Sequence, residues 1–305
     1  MRTLVTGADG LVGSAIKRLN PPNTVYLERA DLDLTDFAKT KEIFNEIKPN
    51  RIIHAAAVVG GIKRNREHPA TLLRENTLIN LNTLEAARLA GVEKLVSFLS
   101  TCSFPNEVTL PYHEKDFHSG PPFEGTVGYA YAKRMLEALT RTYRKEWDCN
   151  FVTVIGTNFY GPNDNFSLED GHVLPALIHK CYLAKKNGAD LQVWGSGKAL
   201  REFVLSDDVA RLALWALESY NEETPIIFTS GTEISIKELV GVVVKKTGFE
   251  GRVIFDDSKP DGQLRRSSDA TKLKTYLPDF VFTPLEEGIE KTAAWFLEHY
   301  PDIRK

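Results

Sequence analysis

The sequence predicts an α/β protein with a doubly wound parallel sheet, followed by a smaller α/β lobe. Apolar runs alternate with amphipathic segments, a glycine-rich turn follows the first run, and the alternation becomes irregular after about Gly161. Continuous apolar runs are typical of strands covered on both faces, and the amphipathic segments supply the crossover helices. We expect a first domain over residues 1–160 and a second lobe over 161–305, with a return of the chain to the first domain left open.

The elements of the first domain are read from the period of the apolar residues. The predicted strands are Arg2–Thr6, Thr24–Leu27, Arg51–Ala55, Lys94–Leu99 and Asn150–Ile155. The predicted helices between them are Leu11–Leu19, Phe37–Ile47, Leu72–Leu89 and Tyr129–Glu146. In the second lobe, helical patterns at Val173–Lys186, Asp207–Ser219, Ile236–Lys246 and Leu285–Glu298 are separated by short strands.

Composition limits the class of protein. Of the 305 residues, 42% are hydrophobic and 26% charged, which excludes a disordered chain or a coiled coil. The net charge of −3 gives no overall positive field, so neither nucleic acid nor a membrane is expected as a partner. The three cysteines are far apart in the sequence, so we expect neither a disulfide nor a metal site. We see no apolar run long enough to cross a bilayer and no signal peptide, and we therefore expect a cytoplasmic protein.

A G-x-x-G-x-x-G turn joins the first strand to the first helix. Glycines allow a tight turn and let backbone N–H groups approach a pyrophosphate, while the helix N-terminus adds a partial positive charge. The turn therefore predicts a dinucleotide site, with a ligand-free structural turn as the alternative. Its residues are Gly7, Ala8, Asp9, Gly10, Leu11, Val12 and Gly13.

The end of the second strand decides between the two nicotinamide dinucleotides. An acidic residue there binds the ribose 2′-hydroxyl, whereas an arginine accommodates a 2′-phosphate. Glu28 stands beside Arg29, so the choice stays open, and a solvated surface pair is the alternative. Asp33, further along, is placed to reach the adenine, although aspartates in such segments are more often turn or cap residues.

A serine, a tyrosine and a lysine predict proton-transfer chemistry. Ser100 ends the fourth strand, at the sheet edge where reacting groups collect. Tyr129 and Lys133 are four residues apart and therefore share a helix face, where a cation favours the phenolate. Lys133 is also placed to bond a nicotinamide ribose, and Ser100 to share a substrate oxygen. Tyr131 is a competing aromatic on another face.

Together these motifs resemble the extended short-chain dehydrogenase/reductase family over essentially the whole chain. The resemblance also rests on His54-Ala55-Ala56, Ser100-Thr101-Cys102, Gly161-Pro162-Asn163-Asp164-Asn165-Phe166, Gly171-His172-Val173-Leu174-Pro175-Ala176, Trp194-Gly195-Ser196-Gly197, Arg201-Glu202-Phe203 and Lys259-Pro260-Asp261-Gly262. It implies a Rossmann domain that binds NADP(H) and a substrate-binding lobe. The Cys102 and His172 combination further implies a GDP-4-keto-6-deoxy sugar as substrate, epimerised at C3 and C5 and reduced at C4 by NADPH.

The resemblance also assigns the catalytic roles. Cys102 is implied as the base and His172 as the acid of the epimerisation, with His172 also contacting the cofactor. Unperturbed thiols and imidazoles titrate at about 8.5 and 6.5, which suits proton exchange. Tyr129 is implied to stabilise the enolate and to protonate the C4 oxygen. Without the resemblance, Cys102 would be interpreted as a small buried hydrophobe and His172 as a cap or surface residue.

Further binding residues and a homodimer are implied in the same way. The loop at the nicotinamide end comprises Gly156, Thr157, Asn158 and Phe159, and the sugar nucleotide is assigned to Lys180, Trp194, Arg201 and Asp261. The dimer would pair the helices at 72–89 and 129–146, whose stripe of Leu136, Leu139 and Tyr143 is equally consistent with packing on its own sheet. The chain departs from the family pattern at Gly156, where a proline is usual, and at Asp9, where some members have an arginine.

Two other functions compete with this one. A related nucleotide-sugar epimerase or 4,6-dehydratase shares the fold, but a dehydratase places a carboxylate shortly after the Ser/Thr, where this chain has Cys102-Ser103-Phe104. A non-catalytic module that only senses the cofactor would tend to lose the tyrosine or the lysine, and this chain keeps both.

Overall fold

A computed structural model describes residues 1–259 and 261–305 and shows two α/β parts. In chain order the strands and helices are β1 (Thr3–Thr6), α1 (Leu11–Leu19), β2 (Thr24–Leu27), α2 (Phe37–Ile47), β3 (Arg51–His54), α3 (Ile62–Glu67), α4 (Pro69–Leu89), β4 (Lys94–Ser100), α5 (Val127–Trp147), β5 (Phe151–Gly156), β6 (Asn158–Tyr160), α6 (Val173–Asn187), β7 (Leu191–Trp194), β8 (Leu200–Leu205), α7 (Ser206–Ser219), β9 (Ile226–Phe228), β10 (Glu233–Ser235), α8 (Ile236–Thr247), β11 (Val253–Asp256), α9 (Thr271–Tyr276) and α10 (Leu285–His299).

The larger part is a six-stranded parallel sheet in the order β2-β1-β3-β4-β5-β9. Successive strand residues point to opposite faces. Leu4 therefore joins the apolar cluster under α2, α4 and α5, while Val5 joins the cluster under α1 and α7. Both faces are covered, which confirms the doubly wound fold. The order reverses beside β1, and ligands of such sheets bind at the carboxyl ends of the strands near that point.

The smaller part is built from two short sheets and three helices. One sheet has the order β10-β8-β6, and the other pairs β11 with β7 in parallel. A third apolar cluster, which includes Phe166, Leu177, Val240 and Phe296, lies among α6, α8 and α10. The later half of the chain also returns to the larger sheet, because β9 adds to the edge of β5.

The predicted elements lie where the alternation places them, and three of them, α1, β2 and α2, have the predicted bounds. Two helices were missed, α3 and α9, since six residues are too few to show a helical period. The stripe on α5 packs inward: Leu136 and Tyr143 are buried in the core cluster of their own sheet. None of the helices in the described ranges is long and apolar enough to cross a membrane.

Candidate active site

A cavity of about 540 Å³ opens at the carboxyl edge of the large sheet, between that sheet and the smaller part. All five predicted catalytic residues line it: Ser100, Cys102, Tyr129, Lys133 and His172. The four residues assigned to the sugar nucleotide line it as well: Lys180, Trp194, Arg201 and Asp261. The thiol and the imidazole therefore share one space with the tyrosine.

The glycine turn is shaped by close backbone contacts. Gly7 has φ +68°, and a Cβ there would lie 2.7 Å from the Cα of Ala56 at the end of β3. A Cβ on Gly13 would lie 2.2 Å from the carbonyl oxygen of Gly7, so only glycine lets α1 start so close to β1. Gly10, Leu11 and Val12 line the cavity at the N-terminus of this helix. This cradle fits the pyrophosphate of a dinucleotide.

The residues predicted at the adenosine end lie on the open surface. Arg29 and Asp33 are exposed beyond β2, outside the enclosed cavity. The carboxylate of Asp33 accepts hydrogen bonds from the backbone N–H and the hydroxyl of Thr35, at 2.9 and 2.8 Å, which lower its pKa. Glu28 pairs with Lys17 at 3.1 Å. Asp9 is also exposed, and its carbonyl accepts a hydrogen bond from Asn163.

Ser100 positions the thiol of Cys102. The hydroxyl oxygen of Ser100 accepts a hydrogen bond from the backbone N–H of Cys102 at 3.2 Å, which caps a 3₁₀ turn at Thr101–Ser103. This turn ends the strand abruptly and places the half-buried Cys102 on the cavity wall. The guanidinium of Arg266 reaches the same sulfur, with its Nη1 3.4 Å from Sγ.

Tyr129 and Lys133 lie one turn apart at the start of α5, as the spacing predicts. Lys133 is buried, and its Nζ lies 5.6 Å from the ring centroid of Tyr129. Burial lowers the pKa of Lys133 to about 8. The tyrosine differs from the expectation: burial, and then the charge of the Cys102 thiolate, raise its pKa instead of lowering it. The cost of desolvating a phenolate therefore dominates the pKa of this tyrosine.

His172 is the N-cap residue of α6, and its side chain opens into the cavity. His172 is exposed to the open cavity, although protein atoms surround its ring closely enough to desolvate a charge there. Desolvation and the positive charge of Arg304 therefore lower its pKa. The imidazole is consequently neutral near pH 7, and its protonated form is a stronger acid than free imidazolium.

The predicted sugar-nucleotide residues cluster at the outer end of the cavity. Lys180 Nζ lies 5.0 Å from the ring centroid of the half-exposed Trp194. Burial lowers the pKa of Arg201 to about 10, and the neighbouring charge of Arg266 adds to this effect. Asp261 accepts two 2.7 Å hydrogen bonds from Ser196, one from its N–H and one from its hydroxyl. Its carboxylate thus fastens the turn after β7. Pro260, in the same predicted motif, lies outside the described residues.

The loop after β5 explains one departure from the family pattern. A Cβ on Gly156 would lie 2.7 Å from the ring of Phe159, so glycine is what lets this ring fold back over the strand end. Asn158 donates a 2.7 Å hydrogen bond to the carbonyl of Glu202 on β8. Thr157 donates at 3.4 Å to the carbonyl of Phe228 on β9. The loop is therefore tied to both parts of the chain.

The charged lining residues that were not predicted as site residues include Asp164, Arg266 and Arg304, together with Arg66, Glu169 and Asp170. Asp164 is buried, and desolvation raises its pKa to about 7. Asp164 lies in the Gly161–Phe166 motif, so the sequence contained a feature from which this residue could have been predicted. Arg304 comes from the C-terminal segment, where no local pattern marks a site, and Arg266 follows the Lys259–Gly262 motif without belonging to it.

The fold and the site together define a nucleotide-dependent oxidoreductase of the doubly wound class. The model of the NAD dependent epimerase/dehydratase family matches residues 3–231. The chain is 44% identical to the GDP-L-fucose synthase of Dictyostelium discoideum, over 99% of this chain and 97% of that one. It is 34% identical to the GDP-L-fucose synthase of Escherichia coli strain K12, over 99% and 98%.

A solved structure agrees with these relatives. The GDP-L-fucose synthetase from Naegleria fowleri bound to NADP superposes with a TM-score of 0.95 at 40% identity, covering 99% of this chain and 94% of that one. The chain belongs to the NAD dependent epimerase/dehydratase family and, within it, to the GDP-L-fucose synthases.

Proposed function

We propose that this protein converts GDP-4-keto-6-deoxy-D-mannose to GDP-L-fucose, by epimerisation at C3 and C5 followed by NADPH-dependent reduction at C4. One observation carries the proposal: Cys102 and His172 line the same cavity as Ser100, Tyr129 and Lys133. A reductase alone needs the second set of residues, whereas inversion beside a ketone also needs a base and an acid around the ring.

The glycine cradle fits NADP(H). Gly7, Gly10 and Gly13 would hold its pyrophosphate, and the loop Gly156–Phe159 would line its nicotinamide end. Arg29 would contact the 2′-phosphate, and Asp33 the adenosine. When bound, the cofactor supplies the hydride for C4. Lys133 is buried beneath this end of the cavity, within reach of a ribose hydroxyl.

The epimerisation is assigned to Cys102 and His172. The Cys102 thiolate would take the proton from C3 on one face of the hexose and become a thiol. The electron pair left behind moves to the C4 oxygen as an enolate, which the hydroxyl of Tyr129 would stabilise by a hydrogen bond. His172, neutral at rest, would first take up a proton from solvent and then return it to the opposite face. Its lowered pKa makes this imidazolium a stronger acid than free imidazolium, although little of it is present at neutral pH. Before the same step at C5, the Cys102 thiol would release its proton to solvent in the open cavity, and His172 would take up a new one.

The reduction is assigned to Tyr129. Its raised pKa means that it enters the reaction as a neutral phenol, able to donate a proton to the C4 oxygen as the hydride arrives. Ser100 would hold that oxygen by a second hydrogen bond. The charge of Lys133, beside the ring, would stabilise the phenolate that forms.

The second lobe, 161–305, would mainly bind the GDP-sugar. Lys180 and Arg201 supply positive charge for the diphosphate, and Trp194 an exposed aromatic wall. Asp261 would act mainly by fixing the turn that carries Trp194, as its hydrogen bonds to Ser196 indicate.

The protein would be a cytoplasmic homodimer. Large apolar side chains stay exposed on α4 and α5, notably Leu73, Leu81, Tyr131 and Met135. The two helices pack against each other, so these residues form the outer surface of a helix pair that a second copy would cover as a four-helix bundle.

The proposal is tested with purified protein, NADPH and GDP-4-keto-6-deoxy-D-mannose, following nicotinamide absorbance and identifying the product by NMR. We expect NADPH oxidation and a product of fuco configuration. A simple epimerase would consume no net NADPH, and a sensor module would bind NADPH without turnover, so either result would reject the proposal.

A further inference from the structure

The thiol of Cys102 faces a cation that the reaction scheme above does not use. Arg266 lies in the segment after β11, 164 residues further along the chain, and its Nη1 is 3.4 Å from Cys102 Sγ. An N–H group of a guanidinium aimed at sulfur stabilises the thiolate over the thiol. Because the thiolate, rather than the thiol, is the base, this contact bears directly on the first step of the epimerisation.

The guanidinium of Arg266 is held in place by a short hydrogen-bond relay. Its Nε donates to the side-chain oxygen of Gln263 at 2.5 Å. The amide nitrogen of Gln263 in turn donates to the side-chain oxygen of Asn106 at 3.0 Å. Because the Nε2 group of Gln263 donates to Asn106, its side-chain oxygen is the atom that faces Arg266. With Nε of Arg266 held by this oxygen, Nη1 of the same guanidinium points toward Cys102.

The surroundings strengthen the effect of that charge. Arg201 and Tyr112 lie close to Arg266 and Cys102, whose charges shift the pKa values of these two neighbours. Arg201 and Tyr112 are themselves largely shielded from solvent. Charges in such a place are screened less than at the surface. We infer that Arg266 is a positioning residue that stabilises the thiolate of Cys102 when it forms, with Gln263 and Asn106 fixing the direction of the guanidinium. This inference rests on the proposed role of Cys102 as base.

The test measures the thiol itself and needs no turnover. Native protein and Arg266→Gln are treated with iodoacetamide without substrate, and alkylation of each cysteine is quantified by peptide mass spectrometry. Loss of the cation should slow alkylation of Cys102 near neutral pH by about tenfold. Above about pH 10, where thiols ionise unaided, the two rates should converge.

Two controls separate this effect from general damage. Cys149, half-buried two residues beyond the end of α5 and not part of the cavity lining, serves as an internal control whose alkylation should not change. Arg265→Gln removes a neighbouring arginine, which pairs with Glu233 instead, and should leave Cys102 at its native rate. Gln263→Ala keeps the cation but frees its direction, so it should slow alkylation by a smaller factor.

The outcomes are decisive. Equal Cys102 alkylation in native protein and Arg266→Gln at neutral pH would overturn the inference. A slowing that persists undiminished at alkaline pH would also overturn it, since that pattern reports access rather than ionisation. If Arg266→Gln fails to fold, Gln263→Ala decides by the same comparison. Because no substrate is present, a failure here is distinguishable from a failure of the proposed function, which the product assay reports.

Discussion

The two sides of the cavity hold their functional groups in different ways. On the cofactor side, Tyr129 and Lys133 project from a regular helix, and the glycine turn is shaped by backbone contacts. On the sugar side, Cys102 sits on a 3₁₀ turn and His172 on a helix cap. In the proposed mechanism, reduction thus depends on groups held by regular elements, whereas epimerisation depends on groups held at a turn and at a helix end.

The largest effect is expected from Tyr129→Phe, which should impair reduction on the cofactor side of the cavity more than proton exchange on the sugar side. Tyr129→Phe removes the proposed proton donor for C4, so the rate of NADPH oxidation should fall by about 10²–10⁴-fold. Deuterium exchange at C3 and C5, which we propose for Cys102 and His172, should be affected less. The matched control is Tyr131→Phe, because Tyr131 is exposed on another face of the same helix. Equal loss of exchange and reduction would mean that the two sides do not act separately.

Cys102→Ser tests the sugar side in the same assay. A hydroxyl is a far poorer base than a thiolate, so exchange at C3 and C5 should slow by about 10²–10³-fold. Binding of NADPH should stay within about twofold, because the glycine cradle is untouched. NMR in deuterated buffer measures the exchange, and native exchange in this variant would show that the base is another group.

The difference between groups held on regular elements and groups held on turns and loops also determines what the sequence alone could predict. The doubly wound sheet, the glycine turn and the Tyr129/Lys133 pair follow from periodicity and spacing, because regular elements repeat the same geometry in any chain. Cys102 and His172 were found only by resemblance, since neither a strand-end cysteine nor a cap histidine carries a local signal. Arg266 was not predicted as a site residue, because its contact with Cys102 depends on how two loops far apart in the sequence pack together. No local sequence pattern encodes such a contact.

Gly13→Ala tests whether the cofactor side depends on backbone proximity. Its Cβ would lie 2.2 Å from the carbonyl oxygen of Gly7, so the turn must open. Overpacking of this kind costs about 1–3 kcal/mol, which corresponds to roughly tenfold to hundredfold weaker NADPH binding. Fluorescence titration measures the affinity.

The control for that change is Gly241→Ala, also a glycine in a helix but with open space around it. It should leave NADPH affinity unchanged and raise the free energy of unfolding by up to about 1 kcal/mol, since alanine is the better helix former. If both variants bind NADPH like native protein, the cradle does not hold the cofactor.

Lys180→Gln tests whether the positive charge of Lys180, at the outer end of the cavity, contributes to binding of the GDP-sugar. Loss of the proposed charge-assisted hydrogen bond to the diphosphate should raise KM for the GDP-sugar by about tenfold, with a smaller change in kcat. Lys186→Gln removes a cation from the same helix, outside the cavity lining, and should leave KM unchanged. Initial rates over a range of sugar-nucleotide concentrations distinguish the two variants, and equal KM values would remove Lys180 from the site.

The smallest expected effect is a change of reduction rate with pH. Burial lowers the pKa of Lys133 to about 8, so the ammonium that supports Tyr129 is lost as pH rises through that value. Reduction should therefore fall severalfold between about pH 7 and 9. Unfolding would not explain the fall: a lysine whose pKa is lowered by folding binds fewer protons in the native state, so its contribution to stability rises with pH between about 8 and 10.4. Lys133→Arg keeps the charge at these pH values, and its profile, although lower throughout, should be flat where the native one falls. A native-like fall in Lys133→Arg would assign the titration to another group and leave Lys133 with only its contact to the ribose.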